Sequence, residues 1–204
     1  MSMLSIAWIV FAFLCGSLPF SIWVGRIFLH RDVRQVGDGN PGAANVFRSG
    51  SSVAGVVVLL LDVSKAAVPV GLAYFNLHPG GTAMFLIAIA PVLGHSFSPF
   101  LGFKGGKAIA ASLGVWIGLT VWKASLPAVV IAAAGVALFT PAGWSVMFAM
   151  AGILVTLLIW LPVPLFLWVW PVLLLILAWN HRSDLRSGLH LRPWLAKRLL
   201  HRQD

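Results

Sequence analysis

The sequence predicts an all-α fold: a polytopic integral membrane protein of about seven transmembrane helices, N-terminus outside and C-terminus cytoplasmic. Three observations carry this reading. Hydrophobic residues make up 60% of the 204 residues and charged ones 9%, with a mean hydropathy of +0.96. The apolar runs are long and do not alternate, which selects helices over a barrel, the other structure that satisfies its backbone inside a bilayer. Lys and Arg gather in segments separated by apolar runs, the pattern of cytoplasmic loops. The chain reads as a single membrane-embedded domain over residues 1–204, without internal repeat or linker.

Residues 3–24 form the first apolar run. No basic region or clear cleavage site marks residues 1–28 as a removable leader, so this run reads as a retained span. A polar stretch over residues 26–52 follows, carrying Arg26, Arg31, Arg34 and Arg48. Residues 53–75 are apolar except for Asp62, Ser64 and Lys65, and residues 76–81 carry no charge, as suits a short outside turn. Residues 82–93 lead into a loop rich in glycine and lysine, and apolar character then holds from Ala108 to Ala178. Lys123, Thr140-Pro141-Ala142-Gly143 and Leu161-Pro162-Val163-Pro164 punctuate it, and a basic tail begins at His181. Seven crossings place both basic loops and the tail on the cytoplasmic side. Spans four to six would then be short, about 15–17 residues against the roughly 20 a bilayer prefers. Five spans with two tilted or re-entrant segments satisfy the same parity.

The net charge is +9, with no Glu and five Asp. In a soluble protein that excess would suggest nucleic acid; here it reads as cytoplasmic loops beside anionic headgroups, so membrane lipids and no nucleic acid are expected. Cys15 is the only cysteine, which excludes an internal disulfide and a Cys-based metal site. His30, His78, His190 and His201 show no metal-ligand spacing, and the ten Trp and thirteen Phe suit interfacial belts and helix packing.

Three charged clusters fall on one predicted side. The loop over residues 94–107 holds His95, Lys104, Lys107 and Gly94, Gly102, Gly105 and Gly106. Its glycines free the backbone to turn amides toward an anion, its lysines add charge, and the helix expected from Ala108 points its N-terminus at it. The spacing is not that of a nucleotide-binding P-loop. The second cluster, over residues 32–48, is rich in Gly, Asn and Pro, which resist helix and suit a folded loop. The third is Asn180-His181-Arg182-Ser183-Asp184-Leu185-Arg186, where a continuous helix would put His181 and Asp184 on one face. Asp62 and Lys65 sit three apart in the second span and are expected to pair, supporting the site structurally.

Taken in order, these stretches resemble the bacterial acyl-phosphate:glycerol-3-phosphate acyltransferase family. The resemblance runs through Gly16-Ser17-Leu18-Pro19-Phe20, Arg31-Asp32-Val33-Arg34, the run from Gly37 to Arg48, Leu61-Asp62-Val63-Ser64-Lys65, Gly94-His95, Phe103-Lys104-Gly105-Gly106-Lys107 and the region of His181. It implies a multi-pass enzyme of the bacterial inner (plasma) membrane with its active site facing the cytoplasm. The implied reaction moves an acyl group from acyl phosphate to glycerol 3-phosphate, giving lysophosphatidate and phosphate, with no metal or other cofactor. Phosphate binding would fall to Gly37, Gly39, Asn40, Gly42, Asn45, Arg48, His95, Lys104, Gly105, Gly106 and Lys107. Catalysis would fall to Asp38, Arg48, Lys107, His181 and Asp184, through proximity and oxyanion stabilisation.

The chain departs from the family at telling positions. Asp38 and Asp184 stand where the family carries an active-site serine and asparagine, and Ala108 where it carries glycine. A carboxylate about 4 Å from a phosphate costs on the order of 4 kcal/mol at an effective dielectric near 20. Asp38 therefore either turns to Arg34 or Arg48 as a spectator, acts as a weak general base, or marks a different acceptor. An acyltransferase with another acceptor, or a catalytically lost lipid- or anion-binding membrane protein, stands beside the main reading.

Overall fold

The computed structural model describes residues 1–200, so His201 lies outside the described residues. The chain divides into two compact units, Met1–Val121 and the part from Trp122 onward.

In the first unit, helix α1 (Met3–Ser17) starts at Ser2, whose hydroxyl accepts the Ser5 amide at 3.1 Å. It ends at Leu18 because Pro19 has no amide to continue the ladder. Helix α2 (Phe20–Phe28) resumes at once, so the first apolar run is two helices across a break rather than one. A short helix α3 (Ala43–Arg48) precedes α4 (Ser52–Leu72), which Ser51 caps through the Ala54 amide. A π-helical turn over Ala73–Leu77 extends α4 until His78, where φ of +47° ends it. Helices α5 (Gly81–Ser96) and α6 (Ile109–Thr120) complete the unit.

Small residues set the packing, as expected where lipid supplies no hydrophobic drive between helices. A Cβ at Gly16 would overlap the Pro91 backbone and one at Gly94 the Phe13 carbonyl, so α1 and α5 touch main chain to main chain. Gly114 and Gly118 of α6 meet the Val63 and Ala67 carbonyls of α4 in the same way. Phe47 of α3 lays its ring on Gly55 of α4. Polar side chains tie up what the break after α1 exposes. Ser98 Oγ donates to the Ser17 carbonyl at 2.7 Å, and Lys65 Nζ to the Leu18 carbonyl at 2.8 Å. Lys65 also pairs with Asp62 at 2.7 Å, both buried.

In the second unit, α7 (Ser125–Leu138) and α8 (Ala142–Trp160) pack as an antiparallel hairpin, Gly135 against Ser145 and Ile131 against Gly152. Strand β1 (Phe139–Thr140) in the connection pairs antiparallel with β2 (His190–Leu191), register Phe139 to Leu191. Helix α9 (Pro164–Asn180) joins α8 through Trp170 Nε1, which donates to the Met150 carbonyl at 2.8 Å. Helix α10 (Arg182–Arg186) follows, and after β2 comes α11 (Pro193–Leu200).

Among the described residues, four helical segments are long and apolar enough to cross a membrane: Met3–Phe28, Ser52–Leu77, Gly81–Leu101 and Ala142–Trp160. Three more apolar helices, Ile109–Thr120, Ser125–Leu138 and Pro164–Asn180, are shorter. The expected uniform shortening of spans four to six does not appear. The fourth and fifth apolar helices have only 12 and 14 residues, while the sixth has 19. The fourth is cut at both ends by positive φ, 63° at Ala108 and 57° at Val121.

Candidate active site

The site in the first unit begins with Asp32. Its carboxylate accepts the Arg34 amide at 3.0 Å and pairs with the Arg34 guanidinium at 2.6 Å, closing the 3₁₀ turn Val33–Gln35. The side-chain hydrogen bond from Arg34 holds Asp32 well below the ordinary carboxylate value, against the smaller opposing effect of burial. Asp38 is therefore not turned to Arg34, which is committed to Asp32. The chain then passes through Gly37 and Gly39, whose φ values of +61° and +73° suit glycine and no β-branched residue.

Between those glycines, Asp38 gathers donors from three segments. Oδ1 accepts the Asn40 amide at 3.2 Å and Asn45 Nδ2 at 3.0 Å. Oδ2 pairs with Lys107 Nζ at 2.9 Å, and Arg48 Nη1 lies 3.9 Å from Oδ1. Burial pushes the Asp38 carboxyl up, but the Lys107 ammonium, the Asn40 amide and the Asn45 side chain outweigh it and hold it below its ordinary value.

Asn45 is the organiser of the loop. It is 1% exposed, and its Nδ2 also donates to the Asn40 carbonyl at 3.0 Å while its Oδ1 accepts Arg48 Nη1 at 2.9 Å. A Cβ at Gly37 would press on Asn45 Oδ1 and Arg48, and one at Gly42 on Asn40 Nδ2. Asn40 then bridges the two loops: its Oδ1 accepts the Lys107 amide at 3.0 Å.

The second loop folds back on α5. Gly105 and Gly106 donate their amides to the Ser96 and His95 carbonyls at 3.1 and 3.0 Å, and a Cβ on Gly106 would strike the His95 ring. His95 is 8% exposed and its Nδ1 has no hydrogen-bond partner among the described residues. A cavity of about 10 Å³, bounded by Asp62, Lys65, His95, Pro41 and Gly106, lies beneath the loop. The sequence expectation was that loop amides converge on an anion. In the structure the amides of Gly39, Gly42, Gly105, Gly106 and Lys107 close the loops on themselves, because each has an acceptor within reach. Positive charge at the two loops is borne by the side chains of Arg48, Lys104 and Lys107. Lys104 is exposed and has no ion-pair partner among the described residues.

His181 and Asp184 belong to the second unit. The expected single helical face is not formed, because the helix breaks at His181, which ends α9 and starts α10 at φ −107° and ψ 15°. His181 is 1% exposed, and its Nδ1 lies 2.9 Å from the Leu177 carbonyl, so that nitrogen carries the hydrogen. Asp184 Oδ2 accepts the Gly143 amide at 3.1 Å in the first turn of α8, a placement favourable to negative charge.

Sequence reasoning missed Ser98, whose hydroxyl ties the second loop to the break after α1. Its signal was a serine placed directly before Pro99, where a helix cannot use it. It expected the Asp62–Lys65 pair to be supporting, and the structure puts Lys65 on the Leu18 carbonyl.

The family model described as "Glycerol-3-phosphate acyltransferase" matches residues 6–190. A protein of that name from Desulfovibrio desulfuricans is 38% identical over 206 residues, covering 95% of this chain and 86% of the relative. One from Methylobacillus flagellatus is 37% identical, covering 88% and 90%. A match to one from Anaeromyxobacter, 42% identical over 131 residues, spans 64% of the relative's length. The fold superposes with a TM-score of 0.80 and 26% identity on crystalline PlsY (YgiH), an integral membrane glycerol 3-phosphate acyltransferase in its glycerol 3-phosphate form, covering 94% and 97% of the two chains. The lysophosphatidic acid form of PlsY gives 0.78 and 25%. By sequence over nearly its whole length and by fold, this chain belongs to the glycerol-3-phosphate acyltransferase family.

Proposed function

We propose that the protein transfers an acyl group from acyl phosphate to glycerol 3-phosphate, releasing lysophosphatidate and inorganic phosphate, as a step of phospholipid synthesis. The acceptor hydroxyl oxygen bonds to the acyl carbon, the bond from that carbon to the phosphate oxygen breaks, and the hydroxyl proton leaves with phosphate or solvent. The observation that carries the reading is the joining of the two loops. Asn40 fixes the Lys107 backbone, and Asn45 fixes Arg48, so both cations are held around one point. Both substrates bring phosphate to such a point, and positioning plus charge stabilisation is the larger part of acyl-transfer catalysis.

Seven crossings, an outside N-terminus, a cytoplasmic C-terminus and a site opening to the cytoplasm of a bacterial inner membrane complete the proposal. Residues 1–204 act as one domain in it, with membrane lipid and acyl phosphate as partners. Gly37, Gly39, Gly42, Gly105 and Gly106 shape the loops, His95 supports them, and Lys104 with Arg48 and Lys107 meets phosphate. His181 serves as the hydrogen-bonding or acid/base participant, and Asp184 takes the place of the family's asparagine.

Purified protein given acyl phosphate with and without glycerol 3-phosphate tests this by the phosphate released. Release should depend on glycerol 3-phosphate, and Lys107→Ala or Arg48→Ala should abolish it in protein that still elutes as folded. Wild-type rates in both variants would sink the site assignment. The Asp38–Lys107 pair favours a second reading, an acceptor whose alcohol carries no phosphate; release only with such an alcohol would establish it.

A further inference from the structure

The anion position of the site is already taken by the chain itself. Four donors surround the Asp38 carboxylate: Lys107 Nζ at 2.9 Å, Asn45 Nδ2 at 3.0 Å, the Asn40 amide at 3.2 Å and Arg48 Nη1 at 3.9 Å. An ammonium, a guanidinium, a side-chain amide and a backbone amide are the donors a phosphoryl group would recruit. A serine at this position would remove the carboxylate that faces both cations. With Asp38 in place, an incoming phosphate and the resident carboxylate contend for the same two charges.

The loop is built to let the carboxylate go. Asp38 stands between Gly37 and Gly39, both at positive φ, where the backbone is least restricted. Its side chain is 43% exposed, so on leaving it reaches water without crossing packed protein. The other members have partners besides it. Arg48 is held by Asn45 Oδ1, and Asn45 by the Asn40 carbonyl. Lys107 is held through its backbone on Asn40.

We propose that Asp38 is a resident counter-anion: a substrate phosphate gains Lys107 and Arg48 by displacing the Asp38 carboxylate, which returns as inorganic phosphate departs. The chain thereby trades phosphate affinity for release of its product. The inference rests on the proposed function only in taking phosphate as the ligand.

Direct titration of inorganic phosphate into the full-length protein in detergent tests it without any turnover. Asp38→Ser and Asp38→Asn should each bind phosphate about tenfold more tightly than wild type, the size expected for a half-exposed like-charge repulsion. Asp38→Glu, which keeps the charge, should stay near wild type. In turnover assays the two neutral variants should show a lower KM for the phosphate-bearing acceptor and stronger inhibition by phosphate. Unchanged or weaker phosphate binding in both neutral variants would overturn the proposal, even if Lys107→Ala still weakened it and so upheld the cation cluster. No phosphate binding in any variant would overturn the counter-anion and the phosphate site together. Tighter binding in Asp38→Ser without activity toward glycerol 3-phosphate would uphold the counter-anion and count against the acceptor.

Discussion

At the scale of single residues, the carboxylates of the first unit differ by the cations they face. Asp32 is held well below the ordinary carboxylate range, chiefly by Arg34, in the folded chain. Its folded value lies under its unfolded one, so ionised Asp32 stabilises the fold above about pH 4 and loses that contribution as pH falls through the folded value. Asp32→Asn should therefore lower the unfolding midpoint at neutral pH, and the gap from wild type should narrow as pH drops below 4. Thermal unfolding in detergent at pH 7 and pH 3 measures it; a gap that widens in acid would refute the assignment. Arg48 and Lys107 stand out in the sequence as candidate site residues because charge in so apolar a chain is expensive to keep without use. The bridging of Asn40 and Asn45 does not, because their partners lie 67, 7, 5 and 3 residues away in a loop that left-handed glycines shape. No residue period encodes such a loop.

At the scale of elements, the third charged cluster changes meaning most. Read as a continuous helix, it offers His181 and Asp184 as neighbours on one face; with the helix broken at His181, Asp184 meets the first turn of α8 instead. Its carboxylate replaces an orphan-amide partner that α8 otherwise lacks, since Pro141 in the capping position has no side chain able to bond the helix. Asp184→Ala should cost about 1 kcal/mol of stability and Asp184→Asn much less, since either amide or carboxylate oxygen caps. Unfolding midpoints compare the three proteins. If Asp184→Ala leaves stability unchanged and removes activity, the residue is chemical rather than structural. The small-residue packing of α1 on α5 and α4 on α6 was not read from the sequence. Which glycines approach which carbonyls depends on crossing geometry, which hydropathy does not carry.

At the scale of the whole molecule, the apolar helices were legible because the bilayer leaves backbone groups no other partner. Their lengths were less so. Helix α6, at 12 residues, extends about 18 Å, well short of the roughly 30 Å hydrocarbon core. Its ends are set by backbone conformation at Ala108 and Val121, which have ordinary apolar side chains. The proposed orientation makes a direct prediction. In a Cys15→Ala background, a cysteine at Arg31 should react with an impermeant thiol reagent only after the inner face is opened, and one at Asn76 in intact cells. The reverse pattern would invert the topology and move the loops to the outside.

The break after α1 has a consequence for biosynthesis. Two carbonyls at the break within the first hydrophobic segment are claimed by Lys65, 47 residues further on, and by Ser98, 81 residues further on. A nascent chain that has released only its first segment holds neither donor. Those carbonyls must stay with water or translocon until the second and third apolar helices arrive, and only then does the first settle. The order of synthesis thus places the completion of the membrane anchor and the closing of the lysine loop in one event.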